Sequence, residues 1–335
     1  MQRYDKFAVN DNPYLCAPNR FSYVMISRRN IRVKVMQTLY ALHTASPGSE
    51  AEQERQGAGL LDEKLARSLD LFIVAILYTL RIAQYAETDA RQRAGKYLPT
   101  AEDLRVSTRI AGNEWLLQIL ADAAFQEMIK NRKPEQYIDE EWVRKIYQLL
   151  VKSPEGIAYA AGHEREPGKE KAILQFIWEK LALPHEGLME YFAEELPGWE
   201  DDREMIVIMM DHFFRNARTN FRQLISEEKR QYAHELLRTV MEKESYCMEL
   251  IEPKLINWDP ERVALIDLLL LRMGVCELLY FPTIPTRVTI NEYIEIAKQY
   301  STLQSGQFVN GVLDNIMKDL EKENRIQKEE RPRKS

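Results

Sequence analysis

The sequence predicts an all-α protein, and three observations carry that reading. Chain breakers are scarce: there are 13 Gly and 14 Pro in 335 residues, where roughly 12% together is ordinary. Apolar residues recur at i, i+3 and i+4 over long stretches. No segment alternates polar and apolar side chains for long enough to make a half-buried strand. A hydrophobic fraction of 45% and a charged fraction of 29% are those of a globular chain rather than a disordered one. The net charge of −6 excludes a uniformly basic coat protein, so any nucleic-acid contact must come from a local patch. Cys16, Cys247 and Cys276 stand far apart without a C-x-x-C. A disulfide scaffold is thereby excluded, a cysteine zinc site is disfavoured, and a reducing cytosol is the expected compartment. The first 25 residues lack the apolar stretch of a signal peptide. The run Leu71–Leu80 is too short to cross a ~30 Å hydrocarbon layer, and Asp267, Arg272 and Glu277 interrupt the apolar segment near 265–280. No membrane contact is expected.

The first predicted helix opens at Arg28 with Ser27 as N-cap. Ile31, Val35, Leu39 and Leu42 form its apolar stripe, and Arg28, Arg32 and Lys34 lie largely off it. Ser46-Pro47-Gly48-Ser49 stops the helix, and the polar stretch through Gly59 reads as a loop. A long helix is predicted over 60–94, ended by Leu98-Pro99-Thr100, and a second over 101–130, ended by Pro134. Two shorter helices, 139–152 and 169–183, flank a Gly- and Pro-containing loop at 153–168. Further helices are predicted over 186–195, about 202–225, and 227–251. Residues 253–260 form a break, with Asp259 capping a helix that starts at Pro260. The segment 262–280 is apolar nearly all round, which marks a helix packed on several sides. Ile290, Ile294 and Ala297 define the next helix. After the Ser305-Gly306 turn, Phe308, Val309, Val312, Leu313, Ile316, Met317 and Leu320 define the last. The mixed-charge tail from Glu321 is expected to fray.

No constellation reads as catalytic, metal-binding or cofactor-binding. None of His43, His163, His185, His212 and His234 follows a Glu by three residues, and His185-Glu186 does not continue into a zinc motif. Gly162 to Lys169 has the wrong spacing for a phosphate loop, and Glu170 stands where Ser or Thr is needed. Asp201-Asp202 reads as an exposed acidic helix start. Cys247 and Cys276, in apolar helices, read as buried inert thiols. The basic start is more informative. Residues 1–42 carry +5, leaving −11 for the rest, and Arg28 to Lys34 contains no acid. Positive charge at a helix N-terminus opposes the helix dipole. Either this is a solvated face or it serves an anionic ligand.

Two segments resemble the NusB family of bacterial transcription antitermination factors. Arg28-Arg-Asn-Ile-Arg-Val-Lys-Val-Met-Gln-Thr-Leu-Tyr40 is similar to that family's opening helix. Arg262 to Tyr280 resembles its central helix. Ile284 to Lys298, with Ile-Asn-Glu and Ile-Ala-Lys, and then Ser305-Gly-Gln-Phe-Val-Asn-Gly-Val-Leu-Asp314 follow in the family's order. The resemblance implies an all-α, NusB-like bundle of two small helical subdomains. It covers 26–43 and 226–322, with 44–225 as a large helical insertion, 323–335 as a charged flexible tail and 1–25 as an N-terminal extension. The chain is similar in this to enlarged NusB-like proteins of the Bacteroidetes. Met25-Ile-Ser-Arg-Arg looks like a natural family start, so the preceding residues are either an extension or lie upstream of the true start codon.

The resemblance further implies binding of boxA-like single-stranded RNA from ribosomal RNA leader transcripts. Its implied protein partners are the ribosomal protein NusE and a transcription elongation complex with RNA polymerase. Arg28, Arg29, Arg32 and Lys34 are the implied phosphate contacts. Phe308 is the implied stacking aromatic, Gln304 and Gln307 flank it as base-edge readers, and Tyr40 is a further candidate that reads equally as core. Asn310 and Gly311 are expected to serve turn and packing geometry. Two other readings compete. Certain ribosomal RNA cytosine methyltransferases carry a NusB-like domain ahead of a catalytic one. Here the family-like helices finish near 322, and Leu15, Tyr246 and Val275, not proline, precede the cysteines, so no enzyme is expected. The other is a helical protein-interaction scaffold without RNA affinity, favoured by the −11 beyond residue 42, which would repel RNA at range.

Overall fold

The computed structural model describes residues 26–45, 50–216, 219–255 and 263–329. The chain enters through α1 (Arg28–Thr44), which starts where the Ser27 hydroxyl accepts the Asn30 N–H at 3.2 Å. The next helix, α2 (Glu50–Ala94), has 45 residues and so is roughly 67 Å long at about 1.5 Å per residue. The stretch before Leu60 is therefore helix, not loop. Tertiary packing overrides its weak propensity: a Cβ on Gly57 would lie 3.0 Å from Leu42 Cδ1 and 3.5 Å from Leu237 Cδ2. The bare glycine lets α2 settle there. Residues 71–80 of α2 are all buried.

The single helix predicted over 101–130 is instead a short 3-10 turn, Asp103–Arg105, followed by α3 (Glu114–Ala121) and α4 (Ala123–Arg132). The break is chemical. Asn113 caps α3 by accepting the Leu116 N–H at 2.9 Å, and Asp122 caps α4 by accepting the Ala124 and Phe125 N–H groups at 2.9 Å. Asp139 caps α5 (Glu140–Leu150). The segment 153–168 is not all loop, for α6 (Pro154–Ala161) starts behind the Ser153 cap with proline at its first position. Then come α7 (Pro167–Phe176), which runs into a π-helical turn at Ile177–Ala182, α8 (Glu186–Glu195) and α9 (Trp199–Arg215). The helix predicted over 227–251 is broken at Lys243 into α10 (Glu227–Glu242) and α11 (Glu244–Ile251). The last three helices are α12 (Leu265–Tyr280), α13 (Thr286–Tyr300) and α14 (Ser305–Lys322). The Asp259 cap, Pro260, Arg262, Cys16 and the N-terminal extension lie outside the described residues.

The tail is more ordered than its composition predicts. Lys328 donates to the Glu277 and Phe281 carbonyls at 2.8 and 2.9 Å, and the Glu329 N–H donates to the Pro282 carbonyl at 3.0 Å. The tail thereby binds carbonyls at and just beyond the C-terminal end of α12, where a helix leaves acceptors without intrahelical donors.

The helix α12 is the axis of the C-terminal bundle, with α1, α10, α11, α13 and α14 packed around it. The helix α2 packs on α1 and α10 and also on α5 and α9, meeting α9 near its middle through Ser68 and Phe72. One continuous apolar core therefore runs through both halves of the chain. No strand occurs among the described residues, and no helix there is long and apolar enough to cross a membrane.

Candidate nucleic-acid interface

The basic start of α1 splits into two pairs with opposite fates. Arg28 and Arg29 reach the surface. Arg28 donates to Glu228 at 2.5 Å and stacks over the Tyr232 ring at 5.5 Å. Arg29 makes a two-pronged pair with Glu292 on α13, at 2.8 and 3.0 Å, and stays half exposed. Bonding to Glu292 raises its pKa further above the ordinary arginine value.

Arg32 and Lys34 point inward. Arg32 is 2% exposed and forks onto Glu277 at 2.9 and 2.7 Å. Glu277 is 0% exposed and also accepts the hydroxyls of Tyr232 at 2.8 Å, Thr289 at 2.8 Å and Tyr293 at 3.0 Å. Burial pushes Glu277 up, but the bonds from Arg32 and the hydroxyls outweigh it and hold its pKa below the ordinary 4.5. Burial, then the Glu277 charge, raises Tyr232 and Tyr293 well above the ordinary phenol value. Lys34 is 4% exposed and pairs at 2.6 Å with Asp202, which also accepts the Ser68 hydroxyl at 2.6 Å.

These placements correct the sequence reading at three residues. Arg32 and Lys34 lie off the apolar stripe of α1, yet they are not on a solvated face. The bundle helices α12 and α13 cover one side of α1, and α2 and α9 cover the other. Asp202, read as an exposed acid, is the buried partner of Lys34, while Asp201 beside it is exposed.

The second cluster sits at the start of α14. Gln304 and Gln307 are exposed, and Phe308 is half buried against the core. Ser305 fixes this corner: it is buried, donates to Asp267 at 2.7 Å and lies 2.8 Å from the Thr302 hydroxyl. Because Glu292 and α14 both pack through α13, this helix links the Arg29 pair to the Gln304–Phe308 turn. Tyr40 is 43% exposed but lies about 18 Å along the α1 axis from Arg28, at ~1.5 Å per residue. The fold does not join it to the arginines. Asn310 and Gly311 sit inside α14 on exposed surface, not in a turn or a packed contact.

Sequence reasoning missed four residues here. Glu228, Glu277 and Glu292 lie 200, 245 and 263 residues from the arginines they hold, beyond the reach of any local pattern. Lys298 is the fourth. Its stem passes over Gly306, where a Cβ would stand 2.8 Å from Lys298 Cγ, and its ammonium bonds Glu295 at 2.7 Å. Its place in Ile296-Ala-Lys298 was the available signal. Cavities of about 670 and 650 Å³ lie elsewhere, and none of the eight sequence-predicted residues lines them. No cluster of three or more His, Cys, Asp or Glu that could hold a metal occurs among the described residues. Cys247 and Cys276 are buried as expected, with their sulfurs 3.3 Å apart.

A family profile described as the NusB family matches residues 201–318. Transcription antitermination protein NusB of Salinibacter ruber is 46% identical over 99 residues, 30% of this chain and 62% of that protein. The chain thus spans under two thirds of that relative. The protein of the same name from Listeria monocytogenes is 42% identical over 95 residues, 28% of this chain and 74% of that one. A solved NusB of T. maritima is 36% identical, covering 32% of this chain and 82% of that chain, with a TM-score of 0.28.

Proposed function

The chain belongs to the NusB family, and from that premise we propose that it is a transcription antitermination factor which binds boxA-type single-stranded RNA of ribosomal RNA leaders together with NusE, within an RNA polymerase elongation complex. One observation carries the reading furthest. A surface arginine pair and a half-buried aromatic flanked by two exposed amides stand on helices that α13 ties together. Single-stranded RNA is held by phosphate neutralisation together with stacking of its bases on aromatic rings. Arg28 and Arg29 supply the charge, Phe308 the stacking face, and Gln304 and Gln307 the hydrogen-bonding groups for base edges. Tyr40 is a peripheral contact at most, given its distance along α1. Arg32 and Lys34 act indirectly, by holding α1 in place.

This division of labour changes the expected salt dependence. Four phosphate contacts would give a slope near −3, whereas two give about −1.4, at roughly −0.7 per contact. The test is fluorescence anisotropy of a labelled boxA-type RNA across a salt series, with and without purified NusE. Arg28→Ala/Arg29→Ala is expected to flatten the slope and weaken binding. Phe308→Ala is expected to weaken binding by about 1–3 kcal/mol, the worth of one stacked base, without changing the slope. A folded protein that leaves the RNA unbound even with NusE present would exclude the RNA role. It would favour the scaffold reading, which the occupation of Arg28 and Arg29 by Glu228 and Glu292 supports.

A further inference from the structure

We propose that Gly311 marks where the sugar–phosphate backbone of the bound RNA passes against the outer face of α14, so that the strand continues along this helix beyond Phe308; this rests on the RNA reading above. Glycine inside a helix is destabilising relative to alanine, because it loses the most backbone freedom on folding. Its presence therefore needs a reason. Five other helical glycines have one in close packing, among them Gly156 and Gly187. A Cβ would meet Leu313 Cδ2 at 2.8 Å from Gly274, Leu42 Cδ1 at 3.0 Å from Gly57 and Lys298 Cγ at 2.8 Å from Gly306. At Gly311 a Cβ would meet nothing within 4 Å, the residue is exposed, and its φ is not in the left-handed region. Neither packing nor backbone conformation asks for glycine there.

Gly59 in α2 and Gly168 in the first turn of α7 share that open space. What sets Gly311 apart is its company. Residues at i, i+3, i+4 and i+7 share one helix face, so Gln304, Gln307, Phe308 and Gly311 form a single stripe along α14. The stripe reads as two amides, an aromatic ring and then bare backbone. Missing side chains admit the close approach of a ligand to a helix. One turn further, the Asp314 carboxylate is paired with Lys318 at 2.6 Å, so the track does not end on an unpaired acid that would repel phosphate.

The experiment compares wild type, Gly311→Ala, Gly311→Gln and Gly59→Ala by thermal unfolding and by anisotropy with the labelled boxA-type RNA in the presence of NusE. Each substitution adds helix propensity in open space, so each should raise Tm by about 2 °C. Gly311→Ala should nonetheless weaken RNA binding by roughly fivefold, about the size of one lost close contact, and Gly311→Gln by more. Gly59→Ala should leave binding unchanged. More stable proteins that bind less well, at position 311 alone, would establish the contact. Wild-type affinity in both Gly311 variants, or an equal loss in Gly59→Ala, would overturn it while leaving the RNA reading intact. A wild type that binds no RNA overturns both.

Discussion

Arg29 and Arg32 are three residues apart on one helix, and the same residue type does opposite work at the two positions. Arg32 is sealed in the core, where it and three hydroxyls compensate the Glu277 charge. Removing one partner of a buried pair leaves a bare charge in a poorly solvating interior. Arg32→Ala should therefore cost about 3–5 kcal/mol of stability, read by denaturant unfolding. Arg28→Ala/Arg29→Ala should cost about 1 kcal/mol or less, since both groups are partly solvated. Similar losses from the two variants would contradict this assignment. The pH dependence follows from the lowered pKa of Glu277. A depressed carboxylate stabilises the fold fully above its unfolded value of 4.5 and loses that contribution as pH falls through the lower folded value. Acid unfolding should thus set in below about pH 4.5, and Glu277→Gln should blunt it. Glu292 offers a further test. It holds Arg29 as a phosphate would, so on the proposed RNA reading the RNA displaces it. Glu292→Gln should tighten RNA binding about two- to fivefold, the worth of one partly exposed ion pair. Glu295→Gln, which removes an equal charge that bonds Lys298 rather than the arginine, should change affinity less. Equal effects would reduce the Glu292 contact to general electrostatics.

Among the helices, α1 shows how far an apolar stripe can mislead. Ile31, Val35 and Leu39 are buried as their spacing predicts, but so are Arg32, Val33, Lys34, Met36 and Thr38 on other faces. A helix clasped on several sides has no solvated face for its charges, and each buried charge acquires its own carboxylate. In α12 the reading is more direct, because a segment apolar nearly all round implies neighbours on every side. It packs tightly on α14 where Gly274 lies beneath Leu313. A Cβ there would stand 2.8 and 2.9 Å from two Leu313 methyl carbons. Gly274→Ala should therefore cost about 1–3 kcal/mol through overpacking, despite its gain in helix propensity. Partial recovery in Gly274→Ala/Leu313→Ala, measured by the same unfolding experiment, would place the clash in that contact. A neutral Gly274→Ala would show that α14 moves aside freely.

For the whole molecule, the decisive feature is that the 182-residue span 44–225, read from sequence as an insertion, shares its core with the family bundle. Helix α2 packs on α1 and α10 of the bundle as well as on α5 and α9, and Lys34 is neutralised by Asp202 from α9. A span whose longest helix packs on two helices of that bundle is not an appended module. The full chain should consequently unfold in one calorimetric transition, with equal calorimetric and van't Hoff enthalpies. Two resolved transitions would show that the insertion folds as an independent domain.

The sequence by itself determined the helical class, the cap at Ser27, the central place of α12 and the family, because these depend on periodicity, on hydrogen-bonding side chains next to a helix start, and on contiguous motifs. It placed a turn at Ser305-Gly306, where the structure instead begins α14, directly after the turn at 303–304. It misplaced the helix at Glu50–Gly59, the breaks at Asp122 and Lys243, and the order of the tail, where packing and caps outweigh local propensity. Only the tertiary structure decided which members of the basic run face solvent. Arg28, Arg29, Arg32 and Lys34 are alike in composition and nearly adjacent in sequence. Their environments are set by Glu228, Glu292, Glu277 and Asp202, which the chain delivers from distant helices. Burying a charge is tolerable only when a partner arrives with it, and the arrival of that partner is a property of the fold.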